Sequence, residues 1–269
     1  MSYLKKYFSV RNRSILSELV RADFKVRYQG SVLGYAWSLL RPLFLFLTLY
    51  VIFVYVFPLG KTVEHYPVYL LTGVIFWNFF SEATTMGLLS IVSRGDLIRK
   101  INIPKYLLVI SNALSALINF GFGLIVIFAF ALISGIYPSP QWLLIIPLIA
   151  EIFILAIGIS FLTSSLYVKF RDISYIWEVF LQIGFYASAI IFPLMSVGES
   201  LRKWFFLNPV VQIVQDARYV LATNTSATIW NTVGVGWLRT LAPFLIIATI
   251  CVVGGIIFKR RSRTFAEDI

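Results

Sequence analysis

Six apolar stretches, each long enough to cross a lipid bilayer as a helix, constrain this chain more than any other feature of its sequence. They lie at about 33–57, 67–91, 107–133, 142–166, 174–194 and 240–258, and we number them spans 1 to 6. The hydrocarbon core of a bilayer is roughly 30 Å thick, and a helix of about 20 apolar residues crosses it. A helix also satisfies its own backbone hydrogen bonds, which lipid cannot do. The sequence therefore predicts an all-α integral membrane protein with six transmembrane helices.

Composition argues against a soluble globular protein and against most kinds of catalytic site. Hydrophobic residues make up 59% of the 269 residues and charged residues 13%, where a soluble domain carries about 25% charged residues. The single cysteine, Cys251, and the single histidine, His65, leave little from which to build a disulfide framework, a zinc site or a catalytic triad. We expect no catalytic residue, no metal site and no cofactor on this chain.

The basic residues orient the predicted bundle. Most of the 23 lysines and arginines lie on alternating connections: before span 1, between spans 2 and 3, after span 4 and after span 6. The positive-inside rule places that side in the cytoplasm. We therefore expect a cytoplasmic N-terminus over 1–31, a transmembrane domain over 32–258 and a cytoplasmic tail over 259–269. Topology also explains the net charge of +11, so the charge does not indicate nucleic-acid binding.

Residues 14–28, before span 1, are predicted to form an amphipathic helix in the membrane interface. Its apolar face comprises Ile15, Leu19, Ala22 and Val26, and its polar face comprises Ser17, Glu18, Arg21 and Lys25. The spacing of Asp23 and Arg27 predicts an ion pair one turn apart. Such a helix either only anchors the N-terminus or also presents its polar face to a cytoplasmic partner.

Two connections are unusual for simple loops. The cytoplasmic one, at about 93–105, mixes charges with four large aliphatic residues and ends near Pro104. We interpret it as a short helix that docks on another protein, with a helix lying on lipid headgroups as the alternative. The external one, at about 195–239, holds apolar segments too short to span, separated by Asn208 and Pro209. These segments predict a re-entrant structure that caps the external mouth of a pathway.

Acidic and aromatic side chains within the spans are further candidates for function. Glu82, Glu151 and Glu178 are functional candidates because a charge inside a membrane is costly, although Glu178 can also pair with basic residues at the cytoplasmic end. Tyrosine hydroxyls require a partner or water. Four tyrosines are therefore candidates for lining a conduit: Tyr50, Tyr167, Tyr175 and Tyr186.

Four segments, in this order, resemble the membrane subunit of type-2 ABC exporters for polysaccharides, the group that moves O-antigen, teichoic acid and capsule chains. They are 19–28 with 31–43 (LVRADFKVRY and SVLGYAWSLLRPL), 97–105 (LIRKINIPK), 167–173 (YVKFRDI), and 207–210 (LNPV) with Arg218 and Tyr219. One departure stands out, because Ala189 occupies a position where family members commonly have proline.

The resemblance implies a half-transporter in a bacterial cytoplasmic (inner) membrane. Two copies of the chain would pair, two cytoplasmic ATPase subunits would carry the ATP and Mg²⁺, and a lipid-linked polysaccharide would pass between the surfaces of spans 1 and 5. The implied coupling residues are Leu97, Arg99, Lys100, Ile101, Pro104 and Lys105, flanked by Ser17, Arg21 and Lys25. The implied external gate contains Asn208, Pro209 and Arg218.

Other functions compete with this one. A proton-driven carrier would use Glu82 and Glu151, but secondary carriers often show internal repeats, and none is convincing between 1–134 and 135–269. A membrane enzyme of lipid or glycan metabolism would need Asp, His and Lys clustered at a span end, and the scarcity of such clusters in this sequence argues against it. An ABC exporter of drugs or small lipids would have the same basic docking elements.

Overall fold

The computed structural model describes residues 10–28, 34, 36–56, 63–101, 103–233 and 237–268. Within these ranges every regular element is a helix, which confirms the predicted all-α class. The α-helices are α1 (Val10–Tyr28), α2 (Ala36–Val51), α3 (Tyr66–Leu89), α4 (Gly95–Lys100), α5 (Tyr106–Ile133), α6 (Ile145–Tyr167), α7 (Ile173–Ala187), α8 (Glu199–Phe205), α9 (Pro209–Leu221), α10 (Ile229–Thr232), α11 (Trp237–Arg261) and α12 (Phe265–Asp268). Helix α2 continues as a π-helix over Ile52–Val56, and short 3₁₀ turns cover Val92–Arg94, Pro140–Leu144 and Leu194–Ser196.

Helix α3 forms the centre of the bundle. Most of its 24 residues are buried, as expected for a helix that is apolar on all sides. It packs against α5, α6 and α9, while α2 and α7 lie on its flanks. Every other long helix is therefore positioned directly or indirectly by α3.

Small residues bring α6 and α11 into close contact. A methyl group at Gly254 would lie 2.4 Å from the carbonyl oxygen of Gly158. One at Gly158 would lie 2.8 Å from the sulfur of Cys251. Glycines at such positions let two membrane helices approach to backbone contact. Close packing then stabilises the pair through dispersion forces, because the hydrophobic effect does not drive helix association in lipid.

The structure does not confirm the count of six spans. In the described ranges, four segments are long and apolar enough to cross a bilayer: Leu39–Val56, Tyr106–Ile133, Pro140–Tyr167 and Thr240–Arg261. A fifth is added if α3 and the segment after it are one span, although the two are bent by 52°. Residues 33, 35 and 57 of span 1, and 234–236 of the predicted re-entrant segment, lie outside the described residues.

The predicted boundary of span 5, at 174–194, is wrong. Helix α7 ends at Ala187 after 15 residues, a length of about 22 Å that is shorter than the hydrocarbon core. The backbone N–H of Ser188 donates to the carbonyl of Gly184 at 2.8 Å. Ala189 then adopts a left-handed conformation with φ of 51°, which ends the helix. We call residues 188–191 the break after α7.

Candidate functional site

The predicted coupling segment leaves the axis of α3 and forms the short helix α4. Ile98 is buried and Leu97 is half-buried, and both pack on a small apolar cluster with Ile103. These three aliphatic residues therefore hold the segment to its own bundle, and the docking of the segment on another protein stays a prediction. Of the four aliphatic residues only Ile101 is exposed, as are Arg99 and Lys100 at the end of α4. The segment thus presents one large apolar and two basic side chains to the outside, together with Ser93 and Asp96.

An ion pair joins the interface helix α1 to this segment. Asp23 pairs with Arg94, and each side chain is only 16% exposed. Arg94 also donates to the hydroxyl of Ser111 at 3.1 Å, and Ser115 donates to Asp23 at 3.4 Å, so α5 completes the network. Spacing along the sequence pairs Asp23 with Arg27, whose side chain lies outside the described residues. Among the described residues, the partner of Asp23 comes from the 3₁₀ turn immediately before α4.

The predicted α1 contribution to coupling is exposed. Ser17, Arg21 and Lys25 all lie at the surface, and Arg21 forms only an open ion pair with Glu18 at 3.4 Å. Ser17 and Arg21 line a groove of about 360 Å³ between α1 and α5. The predicted apolar face is only partly covered, because Val26 is exposed. Polar residues of α1 therefore remain accessible beside the segment that Asp23 contacts.

The C-terminal helix α12 returns to the coupling segment and binds Lys105. The ammonium of Lys105 donates to the carbonyl of Ser262 and lies 5.7 Å from the ring centre of Phe265. Phe265 is buried in the same apolar cluster as Ile98. Burial lowers the pKa of Lys105, and the nearby Glu267 opposes that shift. Lys105, predicted to contact an ATPase, is thus held by this chain, and Pro104 beside it lines a cavity of about 460 Å³.

Arg218, predicted as part of the external gate, is fully buried in α9. Its guanidinium donates to the carbonyls of Tyr69 at 3.0 Å, Ala189 at 2.8 Å and Ile190 at 2.6 Å. It also lies 3.8 Å from the centre of the Tyr69 ring, close enough for a cation–π contact. Arg218 therefore joins three parts of the chain: α3, α9 and the break after α7.

Asn208 and Pro209 begin α9 beside the same break. The Asn208 side chain accepts a hydrogen bond from the N–H of Val210 at 3.0 Å and donates to the hydroxyl of Ser188 at 3.1 Å. Asn208 is thus the N-cap, and Pro209 occupies the first turn, where its missing N–H has no consequence. The structure brings the predicted gate residues Asn208, Pro209 and Arg218 onto one helix.

The four candidate conduit tyrosines do not form one surface within the chain. Tyr175 and Tyr186 are exposed on α7 and, eleven residues apart, lie on the same face of that helix. Tyr50 packs in the core of the bundle, its ring centre 5.8 Å from that of Phe46. The ring of Tyr167 lies beneath the guanidinium of Arg171 at 5.1 Å.

The three acidic residues of the spans differ in environment. Glu82 accepts a hydrogen bond from Asn119 at 2.7 Å. Glu178 is exposed on α7, and the described residues form no salt bridge with it. Glu151 lies beside Gln212 and Asp216, two polar residues of α9 that are not among the predicted site residues. Their signal in the sequence is an i,i+4 pair of polar residues in a largely apolar segment that also contains Gln215 and Arg218.

Sequence comparisons identify relatives along most of the chain. A family profile described as ABC-2 type transporter matches residues 16–222, which include α1 from residue 16 onward and all of α2 to α9. The O-antigen export system permease protein RfbA of Klebsiella pneumoniae is 30% identical over 215 residues, covering 80% of this chain and 82% of the relative. The RfbA protein of Myxococcus xanthus is 27% identical over 265 residues, covering 96% of each. The polysialic acid transport protein KpsM of Escherichia coli is 23% identical over 212 residues, covering 78% of this chain and 82% of the relative.

The matched range contains the interface helix, the bent segment with α4 and the buried Arg218 of α9. It also contains all four segments on which the sequence resemblance rests. The chain therefore belongs to the ABC-2 type transporter family, as a multi-pass permease homologous to exporters of O-antigen and polysialic acid.

Proposed function

We propose that this chain is the transmembrane subunit of an ATP-driven exporter that moves a lipid-linked polysaccharide outward from the cytoplasmic side. The names of its relatives support a polysaccharide as the substrate class. Within this proposal the distribution of basic residues supports cytoplasmic termini, the six apolar stretches support six spans, and the family resemblance supports a bacterial inner membrane. In that topology α7 and the break after it form span 5, and α8 and α9 form a re-entrant pair on the external side.

The observation that carries the proposal is the two-sided character of α4. Its aliphatic side is fixed to the bundle through Leu97 and Ile98, while Arg99, Lys100 and Ile101 are exposed at its end. Such a helix would transmit movement of a docked ATPase to the bundle, because its exposed side is available for docking and its buried side is packed against the bundle. ATP and Mg²⁺ would be held by two separate ATPase subunits that dock there and at the exposed face of α1.

A homodimer would supply the conduit. The free face of α7 is largely apolar and aromatic, with Tyr175, Val179, Ile183 and Tyr186 exposed, and it also exposes Glu178 and Gln182. Helix α2, which packs on a flank of α3, exposes further apolar residues, including Trp37, Phe44 and Leu47. In a pair of chains, these surfaces of spans 1 and 5 would enclose a path whose aromatic rings suit the C–H faces of sugars. The names of the relatives state neither a dimer nor a lipid-linked substrate, so both are parts of the proposal.

Charge reversal at α4 tests the function directly. We expect Arg99→Glu with Lys100→Glu to abolish association with the ATPase subunit while membrane insertion is unchanged, because both side chains are exposed and form no salt bridge with the described residues. The assay is co-purification of the ATPase with the tagged permease from membranes. Arg260→Glu with Arg263→Glu is the matched control, since both residues are exposed in the C-terminal region and the charge change is the same. Normal co-purification of the Arg99/Lys100 variant would disprove the docking assignment.

A further inference from the structure

Two carboxylates and one amide meet inside the bundle, where α9 packs on α6. Nε2 of Gln212 donates to Oδ2 of Asp216 at 2.8 Å and lies 3.5 Å from Oε2 of Glu151. Gln212 is 1% exposed, so its amide is enclosed between the two acids. The described residues contain no group of three or more His, Cys, Asp and Glu that could hold a metal ion. Here the third oxygen donor is an amide, which falls outside such a group.

Within the described part of the chain, each of these three side chains has one buried oxygen without a hydrogen-bond partner. They are Oε1 of Glu151, Oε1 of Gln212 and Oδ1 of Asp216. All three are hydrogen-bond acceptors when the acids are ionised, so no rearrangement among themselves can satisfy them. Buried polar atoms without partners are uncommon and indicate a missing partner that carries a proton or a positive charge.

No basic side chain of the described residues supplies that charge. The salt bridges of the described part of the chain involve neither Glu151 nor Asp216. Arg218, on the same helix as Asp216, directs its guanidinium to three backbone carbonyls and to Tyr69. When both are ionised, these two acids therefore share a buried environment in which no basic side chain of the described residues supplies a counter-charge.

The acid pair is accessible from a cavity. Asp216 lines a cavity of about 490 Å³, together with Tyr219 on α9 and Trp230 and Asn231 on α10. A small ion and its remaining waters can reach Asp216 through this cavity without passing through the packed centre of the bundle. Access to the acids therefore requires no movement of α3.

We propose that Glu151, Gln212 and Asp216 form a binding site for one hard divalent cation. The site offers four carboxylate oxygens and one amide oxygen, which are the ligands that Ca²⁺ and Mg²⁺ prefer. Rotation of the Gln212 amide by half a turn places its oxygen where its nitrogen now lies, between the two carboxylates. The amide N–H group then bridges the acids in the ion-free state, and the amide oxygen binds the ion in the loaded state. Ca²⁺ is the better fit, because it accepts irregular geometry and waters from the cavity, whereas Mg²⁺ requires a near-octahedral shell.

The bound ion would join α6 to α9 and so stabilise the helix that carries Arg218. This inference does not depend on what the permease transports. It concerns only the side chains of this chain, and it is tested on the purified protein without its ATPase.

Thermal unfolding of the full-length permease in detergent, after removal of ions by EDTA and dialysis, tests the site. We expect CaCl₂ to raise the melting temperature by several degrees when Ca²⁺ is about 100-fold above its dissociation constant, because the ion binds only the folded state. Glu151→Gln and Asp216→Asn should each abolish that rise. Glu178→Gln, which changes an exposed carboxylate on α7 in the same way, should retain it. MgCl₂ and NaCl at matched ionic strength separate specific binding from screening.

A spectroscopic readout covers variants that fold poorly. Tb³⁺ substitutes for Ca²⁺, and Trp230 and Tyr219 line the cavity next to Asp216, so excitation of these rings should sensitise Tb³⁺ emission in the wild-type protein. Ca²⁺ should displace Tb³⁺ and so reduce its emission. Gln212→Glu should strengthen Ca²⁺ binding at least several-fold. Trp230→Phe should reduce Tb³⁺ emission without changing the Ca²⁺-dependent shift in melting temperature.

Two results would overturn the proposal. The first is a wild-type melting temperature that does not depend on Ca²⁺ or Mg²⁺; greater stability of the two variants in ion-free buffer would then show that the acids hold protons instead. The second is a Ca²⁺ shift that persists in both Glu151→Gln and Asp216→Asn.

Discussion

Replacing Arg218 by methionine should strongly destabilise the packing of α9 against α3 and the break after α7. Arg218 is the largest fully buried side chain of the described residues. Its guanidinium satisfies the carbonyls of Ala189 and Ile190, which belong to no helix and accept no other backbone hydrogen bond in the described structure. Methionine fills much of the volume but leaves both carbonyls without a donor.

The expected magnitude follows from three terms. Two unpaired buried carbonyls cost about 2–6 kcal/mol, at roughly 1–3 kcal/mol each. Loss of the contact with the Tyr69 ring adds about 1–2 kcal/mol for a desolvated cation–π pair. Removing the buried charge recovers part of its desolvation penalty, which is several kcal/mol. We expect a net loss of about 3 kcal/mol in the free energy of unfolding.

Arg202→Met is the matched control, because Arg202 makes the same kind of hydrogen bonds at the surface. It donates to the carbonyls of Met195 at 2.9 Å and Val197 at 2.8 Å. Water can replace these bonds, so the loss there should be less than about 1 kcal/mol. The measurements are unfolding in mixed detergent micelles and hydrogen exchange of the backbone at 188–191. Equal losses for the two variants, or unchanged exchange at 188–191 in Arg218→Met, would refute the argument that burial makes Arg218 important.

Two further predictions concern the cytoplasmic ion pair and the break after α7. A double-mutant cycle with Asp23→Asn and Arg94→Met should give a coupling energy of about 1 kcal/mol. The corresponding cycle at the exposed pair, with Glu18→Gln and Arg21→Met, should give nearly none. Equal coupling energies would show that burial of the first pair does not matter. Ala189→Pro should lower the free energy of unfolding by about 3 kcal/mol or more, because proline cannot adopt a positive φ. Ala189→Gly should change it by less than about 1 kcal/mol, since relief of the left-handed strain offsets the lost methyl burial; a stable proline variant, measured by the same unfolding assay, would contradict the assigned backbone.

The helical class and most long helices could be predicted from the sequence because apolar length is a local property. The apolar stretch at 107–133, for example, differs from α5 by a single residue at its start. The end of span 5 was predicted wrongly for the same reason, because its apolar composition continues past the end of the helix. The break after α7 depends on the backbone of Ala189 and on Arg218, which is distant in sequence. Local composition carries no information about such a contact.

In the candidate site, too, local features could be predicted from the sequence and contacts between distant segments could not. The sequence predicted a short helix with Arg99 and Lys100, which is α4, and a segment with Asn208, Pro209 and Arg218, which contains α9. For Asp23 it predicted a partner on the same helix, Arg27. The partner, Arg94, lies 71 residues away, and only packing of α1 on α5 brings the two together. Lys105 is a similar case, because its exposure depends on the position of the C-terminal helix α12. Pairings between distant helices require the three-dimensional arrangement, and a pattern within one segment cannot supply them.

In the proposed exporter, helix α3 would connect docking of the ATPase at α4 with the break after α7. At one end it bends into the segment that carries α4, and at the other the carbonyl of Tyr69 holds Arg218 while the hydroxyl of Tyr66 donates to the carbonyl of Ile191 at 3.1 Å. A helix that is buried on nearly all sides moves as a rigid body, because its neighbours leave it no room to bend. Displacement of α4 by an ATPase would then reach the break after α7 without any separate relay. On this account Arg218→Met should leave ATPase association intact and still reduce export, whereas the charge reversal at Arg99 and Lys100 should remove both.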